Sequence, residues 1–319
     1  MMQNTGFERN DYIVHPFQQM FMAGTILIAE SGATKAEWCL VGNDKKKSII
    51  TQGISPFFFT EQKIVELIQK DLLPHFKKSK PVEEIYYYGT GMLNPDNVKM
   101  VRNSLHQVFP KAGIEINDDM LAAARALNGK KQGLACNLGT GSFCCYYNGK
   151  KIAKQSPGIG YILGDEGSGA YLGKKVIQYY LYNTFDEELR YKFDNKYNTN
   201  RVEIIENVYR KPLANRYLAS FALFLSENRG HYMIENIVED GLNDFFFHHL
   251  CKYNEAWKLP IGFVGSIAFG FKDVLKDLCH SYEFELGKIL KSPMKGLIEY
   301  HSTLKSSPAG GDLRKQHSK

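Results

Sequence analysis

Two stretches of this chain, roughly a hundred residues apart, follow one grammar, and a duplicated grammar restricts the fold more than composition does. Residues 26–52, ILIAESGATKAEWCLVGNDKKKSIITQ, read as an apolar strand, a turn of Gly32, Ala33 and Thr34, a second strand over 38–41, a polar turn and a third strand. From Leu134 the order returns: an apolar run, the turn Gly139-Thr140-Gly141-Ser142, a second apolar run and an Asn-Gly turn. The segment then runs into Gly-Asp-Glu-Gly-Ser-Gly at 164–169, which opens a helix. Glycines let backbone amides approach an anion closely, and the hydroxyls of Thr140, Ser142 and Ser168 add donors. Either turn alone is an ordinary tight hairpin. The pair, together with the Gly-Asp-Glu-Gly segment, predicts two similar lobes gripping one polyphosphate from opposite sides.

Between the two hairpins the pattern alternates. A helix is expected over 61–73, with Ile64, Leu67, Ile68 and Leu72 at helical spacing, and a strand over 84–88 leads into Gly89-Thr90-Gly91. A second helix spans 96–108, and a short strand over 114–117 ends in Asp118-Asp119 before a helical run over 120–127. This βββαβαβα order restarts at 134. It predicts α/β sheets with helices on their faces and ligands beyond the carboxyl ends of the strands. Glu30, the turn at 89–91, Asp118-Asp119 and the turn at 139–142 then share one crevice. Residues 167–250 read as almost wholly helical, with breaks near Asn183, Asn198, Lys211-Pro212 and Arg229-Gly230. A strand over 260–264 runs into Gly265-Ser266, where amides face a nucleotide's α-phosphate or adenosine, and a helix follows over 269–279. A closing strand over 283–290 and a short helix over 293–301 end the pattern.

The chain's 319 residues suffice for two cores, and its 44% hydrophobic and 23% charged composition is that of a soluble protein. Three of the six net positive charges lie in the tail from Lys305 to Lys319, leaving a nearly balanced body without the basic, aromatic-laced stripe of a nucleic-acid binder. The six cysteines show no Cys-x-x-Cys spacing and the nine histidines no zinc spacing, so reduced, buried thiols in a cytoplasmic protein are expected. His248 and His249, at the end of an aromatic helix, read as structural or surface residues. The apolar run over 17–29 follows Glu8 and Asp11 instead of a basic segment, and its second half is needed as the first strand; it is therefore not read as a signal peptide. Residues 1–22 are expected to be a loosely ordered extension, with Met22 a natural start, and 302–319 a disordered tail.

Phosphoryl transfer needs charge neutralisation, a metal ion and a base on the acceptor hydroxyl. Glu30, ending the first strand beside the glycine turn, is the candidate Mg²⁺ ligand, and Asp119, at a strand end before a helix, the candidate base. Asp118 is then free to cap that helix. Asp165 and Glu166 fit two roles, as first-turn carboxylates of a helix or as part of the site.

The segments ILIAESGATKAEW, NDDMLAAARAL, LGTGS, GYILGDEGSGAYLG and FVGSIAFGF, in this order over most of 26–301, resemble the N-acetylglucosamine kinase-like branch of the BadF/BadG/BcrA/BcrD ATPase family, within the sugar kinase, heat-shock chaperone and actin superfamily. The resemblance implies two ribonuclease-H-like lobes, duplicated βββαβα units, closing over ATP and Mg²⁺. Residues 23–118 plus a returning helix at 293–301 would form the first lobe, and 119–292 the second, carrying a helical insertion over 167–250. It further implies that Gly32, Ala33, Thr34, Lys35 and Gly139, Thr140, Gly141, Ser142 hold phosphates, that Gly265 and Ser266 lie at adenosine, and that Asp119 is the base. Ser55, Gly158, Gly160, Asp165 and Glu166 would meet the sugar, in a homodimer without nucleic-acid or membrane partners. Three positions depart from the family pattern: Glu30 stands where Asp is usual, Gly53-Ile54-Ser55-Pro56 where relatives have Gly-x-Asn-Pro, and Phe143 where Asn follows Gly-Thr-Gly-Ser. Two lost amides leave sugar groups unpaired at ~1–3 kcal/mol each. An ATPase of the BadF type and a nucleotide-dependent sensor are the alternatives. The first would share an iron–sulfur cluster through cysteines, but Cys144 and Cys145 are adjacent on a strand and expected to point to opposite faces.

Overall fold

The computed structural model describes residues 24–32, 35–42, 46–56, 58–76 and 80–304; the expected extension 1–22 and most of the 302–319 tail lie outside the described residues. The first sheet uses β1 (Ile26–Ser31), β2 (Lys35–Val41), β3 (Lys46–Gln52), β4 (Glu84–Gly89) and β5 (Gly113–Asp118) in the order β3-β2-β1-β4-β5. The β1–β2–β3 meander is antiparallel, whereas β4 and β5 run parallel to β1. The second sheet repeats the plan with β6 (Gln132–Leu138), β7 (Ser142–Asn148), β8 (Ile152–Gln155), β9 (Ile261–Val264) and β10 (Leu286–Leu290) in the order β8-β7-β6-β9-β10. Again the first three strands are antiparallel and the last two parallel to β6. The duplication legible in the two hairpins thus extends to whole sheets, and the molecule has two ribonuclease-H-like lobes. Burial explains the composition of the strands. Central β1 is covered on both faces and is apolar nearly throughout, while edge strand β3 alternates.

Helices α1 (Glu61–Leu67), α2 (Pro95–Val108) and α3 (Asp119–Asn128) follow β3, β4 and β5. Each starts at a polar cap: Thr60 accepts from the Lys63 amide, Asn94 from Asp96 ahead of Pro95, and Asp118 from Leu121. The helix expected over 61–73 loses α geometry after Leu67 and continues as one wider and one tighter turn to Phe76, since Pro74 has no N–H to continue the ladder.

After β8 come α4 (Gly160–Leu163), α5 (Gly169–Leu181), α6 (Glu187–Tyr197), α7 (Arg201–Tyr209), α8 (Ala214–Ser220), α9 (Ala222–Glu227) and α10 (Tyr232–His248). Their breaks fall where Asn183, Asn198 and Gly230 take positive φ, the breaks expected from the sequence. The aromatics of this insertion form the core itself: Phe193 is fully buried, stacks with Tyr180 and Phe221 and meets Phe224 edge-on.

The helix expected over 269–279 is instead two, α11 (Ser266–Gly270) and α12 (Lys272–Ser281), broken at Phe271. Strand β10 begins three residues later than expected, because Glu283, at φ 58°, closes a turn onto the His280 carbonyl. Helix α13 (Met294–Leu304) then returns to the first sheet, burying Met294, Leu297 and Ile298 against Ile26, Ile28, Cys39 and Val41. Its Gly296 sits where a Cβ would lie 2.3 Å from the Ala126 carbonyl oxygen, so glycine lets α13 touch α3. Helices α1 and α2 cover the sheet's other face. Among the described residues no helix is long and apolar enough to cross a membrane.

Candidate active site

Register aligns the carboxyl ends of the parallel strands: Ser31 lies opposite Gly89, and Gly89 opposite Asp118. Glu30 therefore ends β1 one strand away from β4, with Asp119 opening α3 beyond β5. Both carboxyls are held well above the ordinary carboxylate range. Burial comes first in each case. Glu30 is pushed up to about 7, also by the negative charges of Asp119 and Glu37, with Lys35 opposing; Asp119 is pushed up to about 6, also by Asp118. Asp118 spends its side chain on the Leu121 amide at 2.7 Å, the capping expected of it, which leaves the Asp119 carboxyl uncommitted to the cap.

The first glycine turn is pinned at both feet. The Gly32 amide donates to the Lys35 carbonyl at 3.0 Å and the Thr90 amide to the Ser31 carbonyl at 3.1 Å. Ala33 and Thr34 lie outside the described residues. The Ile54 amide donates to Ser31 Oγ at 2.9 Å, which ties the 53–56 loop, and with it buried Ser55, to the end of β1.

In the second turn the Gly139 amide donates to the Gly141 carbonyl at 3.0 Å, and the first two amides of α5, Gly169 and Ala170, donate to the carbonyls of Gly139 and Thr140. Helix α5 is thereby docked on the turn. Thr140 is exposed and Gly139 and Gly141 are half-buried, which leaves the loop face open to a ligand. Gly265 clamps the turn from the other side: at φ 123°, its Cβ would stand 2.2 Å from the Leu138 carbonyl oxygen. Ser266 is exposed at the start of α11.

Asp165 and Glu166 precede α5, whose cap is Ser168, so the first-turn reading of these carboxylates is overturned. Asp165 holds a left-handed φ of 57°, accepts from the Ser142 amide, and sits so close that a Cβ on Gly141 would meet its oxygen at 3.1 Å. Burial, then Glu166, raises its pKa. Glu166 Oε2 lies 3.0 Å from His249 Nε2, and that imidazole packs on Phe245. Gly158 and Gly160 are exposed in the loop before and at α4, with no neighbour within 4 Å of a Cβ on either.

Three residues of this region escape sequence reasoning. Glu37 faces Glu30 across the β1–β2 ladder and accepts from Ser292 Oγ at 2.9 Å, a partnership visible only once the register is known. His249, expected to be structural or at the surface, is buried against Glu166, 83 residues away. Lys174 on α5 feels the charges of Asp165 and Glu166. Phe143, in place of the family's Asn, instead packs against the buried cluster of Ala123, Ala124, Leu127 and Tyr147 between α3 and the second sheet. Cys144 and Cys145 are both buried and belong to different cores on opposite faces of β7, as strand alternation requires.

A divalent ion suits the donor set. Glu30, a half-buried carboxyl raised in pKa by its own burial and by the charge of Asp119, would be relieved by a bound cation. Among the described residues no three His, Cys, Asp or Glu side chains form a cage, and Mg²⁺ held by one or two carboxylates plus phosphates needs none.

No family model matches the chain. It is similar to a solved structure from Porphyromonas gingivalis, a candidate N-acetylglucosamine kinase, at 38% identity and a TM-score of 0.83, over 87% of this chain and 99% of that one. A second candidate N-acetylglucosamine kinase, from Chromobacterium violaceum, shares the fold at 16% identity and a TM-score of 0.67, over 87% of this chain and 98% of that one. Among curated proteins, the N-acetylmuramic acid/N-acetylglucosamine kinase of Clostridium acetobutylicum is 27% identical over 141 residues, 42% of this chain, and the match spans 45% of that relative's length. With a relative at this identity matched end to end, the chain belongs to the N-acetylglucosamine kinase-like family.

Proposed function

We propose that the protein is an ATP-dependent kinase that phosphorylates a hydroxyl of an amino sugar. The observation that carries this reading is Asp119: a half-buried aspartate at the carboxyl end of a parallel strand, relieved of capping by Asp118, its carboxyl pushed up to about 6 and its charge felt by Glu30 beside a glycine hairpin. In this reading the lobes are 23–118 with the returning C-terminal helix, and 119–292. Gly32, Ala33, Thr34 and Lys35 grip phosphate from the first lobe and Gly139, Thr140, Gly141 and Ser142 from the second, with Gly265 and Ser266 against the adenosine. Glu30 would hold Mg²⁺, which when bound neutralises charge on the phosphates. Ser55, Gly158, Gly160, Asp165 and Glu166 orient the sugar. Asp119, ionised above pH 6, accepts the proton of the acceptor hydroxyl, whose oxygen attacks the γ-phosphoryl group; such a base contributes ~10²–10⁴ in rate. His249 keeps the Glu166 carboxylate aimed by holding one of its oxygens.

The names of the Porphyromonas and Clostridium relatives support an amino-sugar acceptor. The test is ADP release from ATP and Mg²⁺ with N-acetylglucosamine, glucosamine, N-acetylmuramic acid and glucose. Stimulation by an amino sugar and not by glucose is expected. ATP binding without stimulation by any sugar overturns the reading in favour of an ATPase or sensor.

A further inference from the structure

Beside the proposed sugar site lies a groove of about 670 Å³, inside the size range of small-molecule pockets. Its two long walls are helix faces. Lys174, Ile177, Gln178 and Leu181 recur at helical spacing on α5, and Arg201, Ile204, Ile205 and Val208 do so on α7. Helix α8 packs on both, while α5 and α7 leave the space between them open.

The groove communicates with the site in two ways. Part of its wall is Tyr161 and Ile162, the residues directly after Gly160 in the sugar loop. Lys174 also lines it while lying near enough to Asp165 and Glu166 to feel both charges. From Lys174 the α5 face extends roughly 10 Å to Leu181, at 1.5 Å per residue. Side chains at its margin stay exposed although apolar, Ile162 at 71% and Tyr209 at 81%. The charges lining it are Lys174 and Arg201, with no carboxylate, and neither cation joins an ion pair among the described residues.

We propose that this groove is a subsite for an arm carried by the amino sugar, apolar along its length and ending in a carboxylate. The inference rests on the kinase reading for the sugar's position, and on the groove alone for the arm. The apolar faces of α5 and α7 take the chain of the arm, Lys174 or Arg201 takes its anion, and an acceptor with only an acetyl group leaves the groove unfilled.

The test compares N-acetylglucosamine with N-acetylmuramic acid, N-glutarylglucosamine and the methyl esters of both acids, by calorimetric binding and by phosphorylation. In the unaltered protein at least one acid should bind fivefold or more tighter than its ester. Arg201→Glu should weaken that acid about tenfold and leave N-acetylglucosamine unchanged, and Ile205→Trp, which fills the groove, should weaken acid and ester alike. Acids, esters and N-acetylglucosamine binding equally in all three proteins overturns the subsite, even if every sugar is phosphorylated. The expected binding pattern without phosphorylation of any sugar keeps the subsite and removes the kinase reading.

Discussion

At the scale of single residues, the site is built by placing carboxylates where burial and one another's charge oppose ionisation. Asp119→Asn removes the base while keeping the amide-accepting geometry, so turnover should fall at least a hundredfold with nucleotide affinity nearly intact, checked by steady-state kinetics and calorimetry. Turnover that survives would move the role to Asp118 or Asp165. The pH dependence follows from the same charges: kcat/KM should rise with pH through 6 to 7 as Asp119 and Glu30 ionise, and level off above 8. Stability runs the other way. Glu30 has a folded pKa above its unfolded value of 4.5, so its contribution is complete below pH 4.5 and is lost as pH rises through 7. Glu30→Gln escapes that loss. It should be more stable than the parent by ~1–3 kcal/mol at pH 8 in urea titrations without ligand, the gain vanishing near pH 4, while activity collapses. Equal stability at both pH values would show that Glu30 is solvated and its charge uncompromised. That Glu30 and Asp119 lie at strand ends beside glycine turns was legible in the sequence alone, because strand ends and glycine turns are local. It missed Glu37 and His249, whose roles exist only through cross-strand register and an 83-residue loop closure.

At the scale of elements, the two hairpins and the helical breaks were legible because a strand's apolar run and a helix's capping residues are written within a few positions of one another. Boundaries were less so. The one local sign at 266–271 that the helix divides is Gly270, which ends α11, and Phe271 beyond it is buried in the second core. Glycine at 265 was read as an amide donor, whereas its closest constraint is the Leu138 carbonyl crossing over it. Gly265→Ala should therefore strain φ by about 1–3 kcal/mol and also push the second phosphate turn out of place. A lowered melting temperature with a KM for ATP raised at least tenfold is expected. An unchanged melting temperature would mean that the β9–α11 turn shifts freely.

At the scale of the whole molecule, the lobes are joined by α3 and α13, and α3 carries Asp119 at one end and Arg125 near the other. Arg125 donates to Tyr88 Oη at 2.7 Å on β4 and to Glu115 Oε1 at 2.9 Å on β5, while Tyr88 also meets His301 of α13 at 2.8 Å. Asp119, the proposed base, is thus positioned through a helix locked to the first sheet and packed by Ala123, Ala124 and Leu127 against the second. That the sheets repeat was legible, but that α13 returns to the first sheet came only from the family resemblance, because a short apolar helix after a closing strand has no local mark of where it docks. Leu297 tests that docking. It is fully buried at the face of β1, far along the chain from every proposed ligand contact, and Leu297→Ala should cost ~2–5 kcal/mol by transfer and cavity terms together. Measured by urea unfolding, that loss is a large share of the ~5–15 kcal/mol that holds a domain folded, and kcat at low temperature should change less than threefold because α3 keeps its bonds to Tyr88 and Glu115. If stability is unmoved, α13 does not close the first lobe; if kcat falls with stability retained, it sets the position of α3 and hence of the base.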